Sequence, residues 1–246
     1  MAKKKHKKLI IALIVVGGVL GLSIAGFATY ASIYNHATNK ALAYLNDSDF
    51  SKVKDEDRYV AFEPKENASK SGFIFYPGGK VDYRAYAPFL RDLSDKGITS
   101  ILVKMPFNLA VFNIKGANDK QALYPSISSW YIGGHSLGGA MACSYLKDHQ
   151  SEYDGVILLA AYSTADLTKQ ESFKTLSLLA ENDKVLKKSK YNSNKTYLPN
   201  LLEVTIKGGI HSYFGDYGIQ NGDGTPTITV AEQRKEVVSA ISSFVI

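Results

Sequence analysis

Residues 129–139 read Ser-Trp-Tyr-Ile-Gly-Gly-His-Ser-Leu-Gly-Gly, and this stretch decides the fold of the chain. It begins as an apolar run, passes through the pattern G-x-S-x-G at residues 134–138, and opens a helical pattern that continues to residue 149. A strand, a tight turn that carries a serine and then a helix make up a nucleophile elbow. Glycines beside the serine allow the strand and the helix to approach closely. We therefore expect Ser136 to stand at a helix N-terminus, where developing negative charge is stabilised.

Apolar runs alternate with amphipathic stretches along most of the chain. Strands are predicted at residues 58–62, 72–76, 98–105, 130–132, 155–161, 175–180 and 201–206. Helices are predicted at residues 83–96, 137–149 and 230–244, with shorter ones within residues 35–46 and 118–126. Buried strands that alternate with helices form a mostly parallel sheet covered on both faces. The sequence therefore predicts an α/β domain over residues 58–246, preceded by a solvated spacer at residues 32–57.

The excess positive charge lies at the N-terminus. The formal net charge is +6, and five lysines fall within residues 3–8; without them, 24 basic residues face 23 acidic ones. The remainder of the chain therefore has no general basic surface for nucleic acid.

Residues 9–31 follow the lysines without a single charge, and about 20 apolar residues suffice to cross a bilayer. This pattern predicts one transmembrane anchor, with residues 1–8 as a basic cytoplasmic tail and the rest of the chain outside the cell. A cleaved signal peptide is the alternative, and the mature protein would then be secreted. The run exceeds the usual signal-peptide core, which favours the anchor.

A serine hydroxyl becomes a nucleophile only beside a general base that an acidic residue orients. The chain has five histidines, His6, His36, His135, His149 and His211. The first two lie in or beside the N-terminal segment, His135 should turn under the elbow, and His149 ends the elbow helix. His211 is left as the candidate base, because it lies in a loop just past a predicted strand.

The acidic partner is expected between the serine and the histidine, at the carboxyl end of a strand. Asp183 directly follows the strand at residues 175–180 and is the favoured candidate. Asp166 is the runner-up and Glu181 the third choice. The negative oxygen of the reaction needs two backbone N–H donors. We expect one from Leu137 and the other from Gly79 or Lys80, in the loop after residues 72–76.

The chain resembles the α/β-hydrolase superfamily through residues 134–139 and the order serine, aspartate, histidine. More narrowly, it resembles small bacterial α/β hydrolases related in layout to dienelactone hydrolases. Three stretches carry that likeness: residues 75–79 (FYPGG), 104–108 (KMPFN) and 214–218 (FGDYG), the last together with His211. The resemblance covers roughly residues 58–246 and implies hydrolysis of a carboxylic ester or a related acyl compound. The Tyr-Pro-Gly-Gly at residues 76–79 departs from the His-Gly-Gly of lipase-type members.

The predicted site is open. Only about a dozen residues, 162–173, separate two strands where this fold usually carries a cap, so we expect a minimal cap or none. A small-molecule or acylated substrate would then contact residues from the neighbouring loops. The candidates are Phe107, Asn108, Phe112, Tyr162 and Phe214, and for each of them an ordinary place in the core or at the rim stays open as the alternative.

No cofactor or metal is expected. Asp216, Asn221 and Asp223 do not follow the calcium-loop spacing, and their loop should instead order His211. Cys143 is the single cysteine, which excludes an internal disulfide, and it should be a buried apolar side chain. The oligomeric state stays open.

Two other functions also stay open. One is an acyltransferase or peptidase that uses the same triad of Ser136, His211 and Asp183, and the other, less favoured, is a non-catalytic surface binding protein.

Overall fold

The computed structural model describes the backbone of residues 2–246 and the side chains of Leu13 and of residues 15–246. The chain forms two units, one that ends at Tyr34 and a second that spans Asn35–Ile246. The first unit is a helix, α1 (Ala2–Ser32). Its segment Val15–Ser32 is long and apolar enough to cross a membrane, as a signal sequence near an N-terminus would also be.

The second unit is built on an eight-stranded sheet in the order β1-β2-β4-β3-β5-β6-β7-β8. Its strands are β1 (Ser51–Asp55), β2 (Tyr59–Pro64), β3 (Ser71–Tyr76), β4 (Thr99–Val103), β5 (Ser129–His135), β6 (Gly155–Leu159), β7 (Lys174–Ala180) and β8 (Leu201–Ile206). Its helices are α2 (Asn39–Leu42), α3 (Ala87–Ser94), α4 (Leu137–His149), α5 (Lys188–Asn194) and α6 (Val230–Val245). Strand β2 pairs antiparallel with β1 and β4, and the remaining pairs are parallel.

Two apolar cores cover the two faces of the sheet. Alternate residues of β3 divide between them: Phe73 and Phe75 pack in the layer of α3 and α6, whereas Ile74 and Tyr76 pack in the layer of α4. This is the period of two that a strand buried on both faces must follow. The predicted α/β architecture, with a mostly parallel sheet between helices, is confirmed.

The start of the folded unit differs from the predicted spacer at residues 32–57. Strand β1 lies within that stretch and forms the sheet edge beside β2. Asn35 makes a bridge to Val81: its N–H donates to the Lys80 carbonyl at 2.8 Å, and its own carbonyl accepts from the Asp82 N–H at 2.8 Å. Among the four acidic residues that suggested a solvated stalk, only Asp55 belongs to β1, whereas Asp49, Glu56 and Asp57 flank it. Charged residues are compatible with an exposed sheet edge.

Smaller differences concern the connections. Residues 118–126 hold only a 3₁₀ turn, Gln121–Leu123, and α5 was not predicted. The helix predicted at residues 83–96 divides into a 3₁₀ turn, Tyr83–Tyr86, followed by α3. Residues 160–173, between β6 and β7, form turns and bends.

Cys143 is fully buried in the α4 layer, and burial raises the pKa of its thiol to about 11. The side chain is therefore the buried apolar group that the sequence predicted.

A truncation tests the position of the domain boundary. A chain that begins at Arg58 should melt about 10 °C or more below a chain that begins at Asn35. The shorter chain leaves the outer edge of β2 unpaired and removes the fully buried Ala41, and each kcal/mol lost shifts the midpoint by roughly 2–4 °C in a domain of this size. Thermal melts followed by circular dichroism measure the difference. Equal melting temperatures would show that residues 35–57 act as a spacer after all.

Candidate active site

The turn at Ser136 has the geometry of a nucleophile elbow. Strand β5 ends at His135, α4 begins at Leu137, and Ser136 between them has φ 50° and ψ −119°. A positive φ is strained for a residue with a side chain, so neighbouring contacts must hold it. The Ser136 N–H donates to the Leu159 carbonyl at 3.0 Å, and the Ser136 carbonyl accepts from Ala140 at 3.1 Å. Both bonds fix the turn to the sheet and to the helix.

Glycines surround this turn because backbone from three elements meets there. A Cβ on Gly133 would lie 1.8 Å from the Ile157 carbonyl oxygen of β6. A Cβ on Gly134 or Gly138 would lie 2.4 or 2.2 Å from the carbonyl oxygen of Tyr76. No side chain fits at these distances without moving a strand. The G-x-S-x-G pattern is therefore a packing requirement of this elbow.

Asp183 and His211 meet at the carboxyl edge of the sheet. Asp183 follows β7, and His211 follows β8 in the 3₁₀ turn His211–Phe214. The Asp183 Oδ2 and the His211 Nδ1 are 2.8 Å apart, and both side chains are buried. The other carboxylate oxygen, Oδ1, accepts from the N–H groups of Val185 at 2.7 Å and Leu186 at 2.8 Å. Both oxygens are thus engaged, which fixes the orientation of the carboxylate.

The surroundings keep Asp183 ionised. Burial acts to raise the pKa of Asp183, but the hydrogen bond and charge of His211 and the two backbone N–H donors outweigh it. The pKa therefore lies below its usual value. A charged carboxylate at Nδ1 fixes that nitrogen as the protonated one and leaves Nε2 as the acceptor.

The other two acidic candidates do not contact His211. The Asp166 carboxylate is exposed and accepts from the backbone N–H and the hydroxyl of Thr168. The Glu181 carboxylate accepts from the Gly208 N–H at 2.8 Å. Asp183 is therefore the candidate that the structure brings to the histidine.

His211 is held beside the elbow by two groups of contacts. Its ring centroid is 4.4 Å from that of His135, the residue directly before Ser136. On the other side Asp223 accepts from the His211 N–H at 3.3 Å and from the Ser212 N–H and hydroxyl at 2.7 and 2.6 Å. Within residues 15–246 neither His211 Nε2 nor Ser136 Oγ makes a hydrogen bond, so both atoms are available for proton transfer.

The structure narrows the candidates for the second oxyanion donor. The Gly78 N–H donates to the hydroxyl of Tyr86 at 3.0 Å. The Lys80 N–H donates to the Asn108 carbonyl at 2.8 Å, which removes Lys80 from the predicted pair Gly79 or Lys80. Gly79 packs against Leu137, since a Cβ there would lie 2.7 Å from the Leu137 Cδ2. In the described part of the chain, the N–H groups of Gly79 and Leu137 have no acceptor.

The predicted substrate-contacting residues fall into two groups. Phe107 and Phe112 are exposed, with ring centroids 5.6 Å apart in a T-shaped arrangement, and Asn108 and Tyr162 are half-buried. Phe214 takes the core alternative: it is only 2% exposed and packs against His135 at 5.7 Å between ring centroids. Its apolar ring is taken up by the core under the histidines, so it does not line an open surface.

The acidic side chains of residues 214–224 accept hydrogen bonds from neighbouring parts of the chain. Asp223 binds the backbone of the His211 turn, and Asp216 accepts from the Thr38 hydroxyl at 2.8 Å. Among the residues whose side chains are described, no group of three or more His, Cys, Asp or Glu could hold a metal ion.

Sequence reasoning missed the role of Tyr86. A buried tyrosine hydroxyl needs a hydrogen-bond partner, and that requirement was the available signal. The loop that contains Asp223 was expected to order His211, and Asp223 does bind the His211 turn, but the sequence did not single out Asp223 among the residues of that loop.

Comparison with known proteins agrees with the fold. The model of the Alpha/beta hydrolase family matches residues 72–235. An esterase from Pyrobaculum calidifontis has the same fold, with a TM-score of 0.59 and 14% identity over 85% of this chain and 91% of its own. A thermostable esterase from Pseudomonas putida matches with a TM-score of 0.59 and 14% identity, over 82% of this chain and 85% of its own. A predicted CIB-like hydrolase from Thermoplasma acidophilum matches with a TM-score of 0.55 and 15% identity, over 78% of this chain and 96% of its own. No curated protein sequence matches the chain significantly.

The lowered pKa of Asp183 predicts how stability depends on pH. The contribution of the ionised carboxylate is present above the unfolded-state pKa, about 3.9, and is lost as the pH falls through the lower native pKa. Wild type should therefore exceed Asp183→Asn in free energy of unfolding by about 2–4 kcal/mol at pH 7, and the gap should narrow below about pH 4. Denaturant titrations from pH 3 to pH 7 measure it. Asp166→Asn should stay much closer to wild type, because its carboxylate is exposed and solvent screens the hydrogen bonds from Thr168 that lower its pKa. A stability difference between wild type and Asp183→Asn that does not change with pH would contradict the ionised pair.

Proposed function

This chain belongs to the alpha/beta hydrolase family, and we propose that it is a serine hydrolase that cleaves carboxylic esters. The observation that carries the proposal is the buried hydrogen bond between Asp183 and His211, beside the strained turn at Ser136. Solved structures named as esterases share the fold, which supports the reaction class.

In the proposed first half-reaction, the Ser136 Oγ attacks the ester carbonyl carbon while the His211 Nε2 takes the hydroxyl proton. The carbonyl oxygen becomes negative and accepts from the N–H groups of Leu137 and Gly79. The ionised Asp183 stabilises the imidazolium through its bond to Nδ1–H. Collapse of the tetrahedral intermediate breaks the bond to the alcohol oxygen, which leaves with the proton from Nε2.

The second half-reaction repeats these roles with water. His211 takes a proton from the water, the hydroxide oxygen attacks the acyl-enzyme carbonyl, and the same N–H groups hold the negative oxygen. The acyl–oxygen bond to Ser136 then breaks, and the proton returns to the Ser136 oxygen. The products are a carboxylic acid and the free enzyme.

The accessible substrate class follows from what covers the site. Residues 160–173 form turns and bends where a cap would be inserted, and the rings of Phe107 and Phe112 are exposed. We infer a small or solvent-accessible acyl substrate that reaches Ser136 without displacing a lid.

We further propose that α1 anchors the enzyme in the cell membrane and that Asn35–Ile246 lies outside the cell. The length and apolar composition of Val15–Ser32 support a span, and the lysines at residues 3–8 favour a cytoplasmic N-terminus.

Substitution of the triad tests the mechanism. Ser136→Ala should lower kcat for a short-chain p-nitrophenyl ester by about 10⁴-fold or more and abolish labelling by a fluorophosphonate probe. His211→Ala should lower kcat similarly, and Asp183→Asn by about 10³-fold or more, because the remaining groups no longer form a working unit.

Ser144→Ala is the matched control, since Ser144 lies on the same helix and its hydroxyl contacts only Thr164. It should retain full activity. Labelling that persists in Ser136→Ala would exclude Ser136 as the nucleophile. A large loss of kcat in Asp166→Asn, with none in Asp183→Asn, would show that Asp183 is not the acidic residue of the site.

Fractionation of cells tests the anchor. The full chain should resist extraction from membranes by alkaline carbonate and keep residues 1–31 in an intact-mass measurement. A chain of residues 35–246 should be recovered in the soluble fraction with an unchanged kcat/KM, because the folded unit begins at Asn35. A mature mass that lacks about 30 residues, together with activity in the medium, would identify a signal peptide.

A further inference from the structure

The buried hydroxyl of Tyr86 joins the loop at residues 77–80, called the oxyanion loop below, to His135, which directly precedes Ser136. The Tyr86 oxygen accepts from the Gly78 N–H at 3.0 Å and lies 2.8 Å from the His135 Nδ1. Tyr86 is fully buried and His135 is 1% exposed. None of these polar groups reaches solvent, so each depends on the others for its hydrogen bonds.

Donor chemistry settles one of the two hydrogen bonds. The Gly78 N–H can only donate, so the Tyr86 oxygen accepts it. The bond between the Tyr86 hydroxyl and the His135 Nδ1 runs from the tyrosine when His135 carries its proton on Nε2, and from the histidine when it carries the proton on Nδ1. Burial raises the pKa of Tyr86 well above its usual range, and burial together with the charge of His211 lowers the pKa of His135 well below its usual range. Both side chains therefore stay neutral across the working pH range, and the hydrogen bond between them persists with either tautomer.

His135 carries the connection on to the candidate base. Its ring packs against His211 at 4.4 Å and against Phe214 at 5.7 Å between centroids. The buried chain therefore runs from Gly78 through Tyr86 and His135 to the ring of His211. Gly78 immediately precedes Gly79, whose N–H is the proposed oxyanion donor.

We propose that Tyr86 and His135 are positioning residues, which hold the Gly79 N–H and the His211 ring in their catalytic places relative to Ser136. The proposal rests on the ester hydrolysis proposed above. Neither residue touches the substrate: Tyr86 acts through Gly78, and His135 acts through its packing against His211.

The hydroxyl of Tyr76 closely matches that of Tyr86 but lies outside this connection, and Tyr76→Phe leaves in place the Tyr76 backbone carbonyl that packs against the elbow. Tyr76 is also fully buried, and its hydroxyl also makes two hydrogen bonds, from the Ala117 N–H at 2.9 Å and to the Ile114 carbonyl at 2.7 Å. Those partners belong to the long connection between β4 and β5. Removal of the Tyr76 hydroxyl should therefore cost comparable stability without moving the oxyanion loop.

The first test compares Tyr86→Phe with Tyr76→Phe in the full chain, using a p-nitrophenyl ester. Tyr86→Phe should lower kcat by about ten- to a hundredfold with KM within about twofold, because a misplaced oxyanion donor weakens only transition-state binding. Tyr76→Phe should lower the melting temperature similarly and keep kcat within about twofold of wild type.

The second test uses His135 and works even if Tyr86→Phe does not fold. His135→Asn places an amide near the position of Nδ1, and this amide can accept through its oxygen or donate through its nitrogen, whereas His135→Leu removes the hydrogen-bonding group. We expect the Asn variant to keep at least tenfold more of the wild-type kcat than the Leu variant. Combined with Tyr86→Phe, His135→Leu should cost little beyond the larger single effect, since the two residues form one unit.

The outcomes separate the two proposals. Equal kcat losses in Tyr86→Phe and Tyr76→Phe, or equal kcat values in His135→Asn and His135→Leu, would overturn the positioning role. Absence of ester hydrolysis in wild type, or hydrolysis that survives Ser136→Ala, would instead overturn the proposed function.

Discussion

The close approach of backbone at the elbow is the constraint on which this molecule depends. The Tyr76 and Ile157 carbonyl oxygens leave no space for a Cβ at Gly133, Gly134 or Gly138. This spacing brings the ends of three strands and the start of α4 together at Ser136, which must then take a positive φ. The loops after β3, β7 and β8 converge on the same point, because parallel strands end at one edge of the sheet.

The rings of His135 and His211 are in contact, but their surroundings favour different charge states. His211 has an ionised carboxylate on Nδ1 and is the group that would carry positive charge during turnover. His135, 4.4 Å away, has a hydroxyl as its partner and a lowered pKa. A second positive charge at that distance would oppose protonation of the first. Burial and the neighbouring His211 therefore keep His135 neutral, whereas the ionised Asp183 is placed to stabilise a positive charge on the His211 ring.

Local patterns were sufficient for the strands around the elbow and for the order of serine, aspartate and histidine. Local patterns were insufficient where a residue distant in sequence decides which backbone N–H is hydrogen-bonded. Lys80 and Gly79 are indistinguishable as donors in the sequence, and only the Asn108 carbonyl, brought there by the next strand, excludes Lys80. The sequence left Phe214 open between the core and the site, and only the packing of the folded chain assigns it to the core. Strand β1 was taken for part of a spacer because an edge strand tolerates charge.

The bridge at Asn35 gives the beginning of the folded unit a mechanical consequence. Its two backbone hydrogen bonds attach the chain to Lys80 and Asp82, and Lys80 directly follows the glycine proposed to hold the oxyanion. Tension applied through the N-terminal segment would therefore reach the oxyanion loop before it reached any strand of the sheet. If the enzyme is tethered by that segment, as proposed, pulling force would act on the same backbone that sets the catalytic geometry.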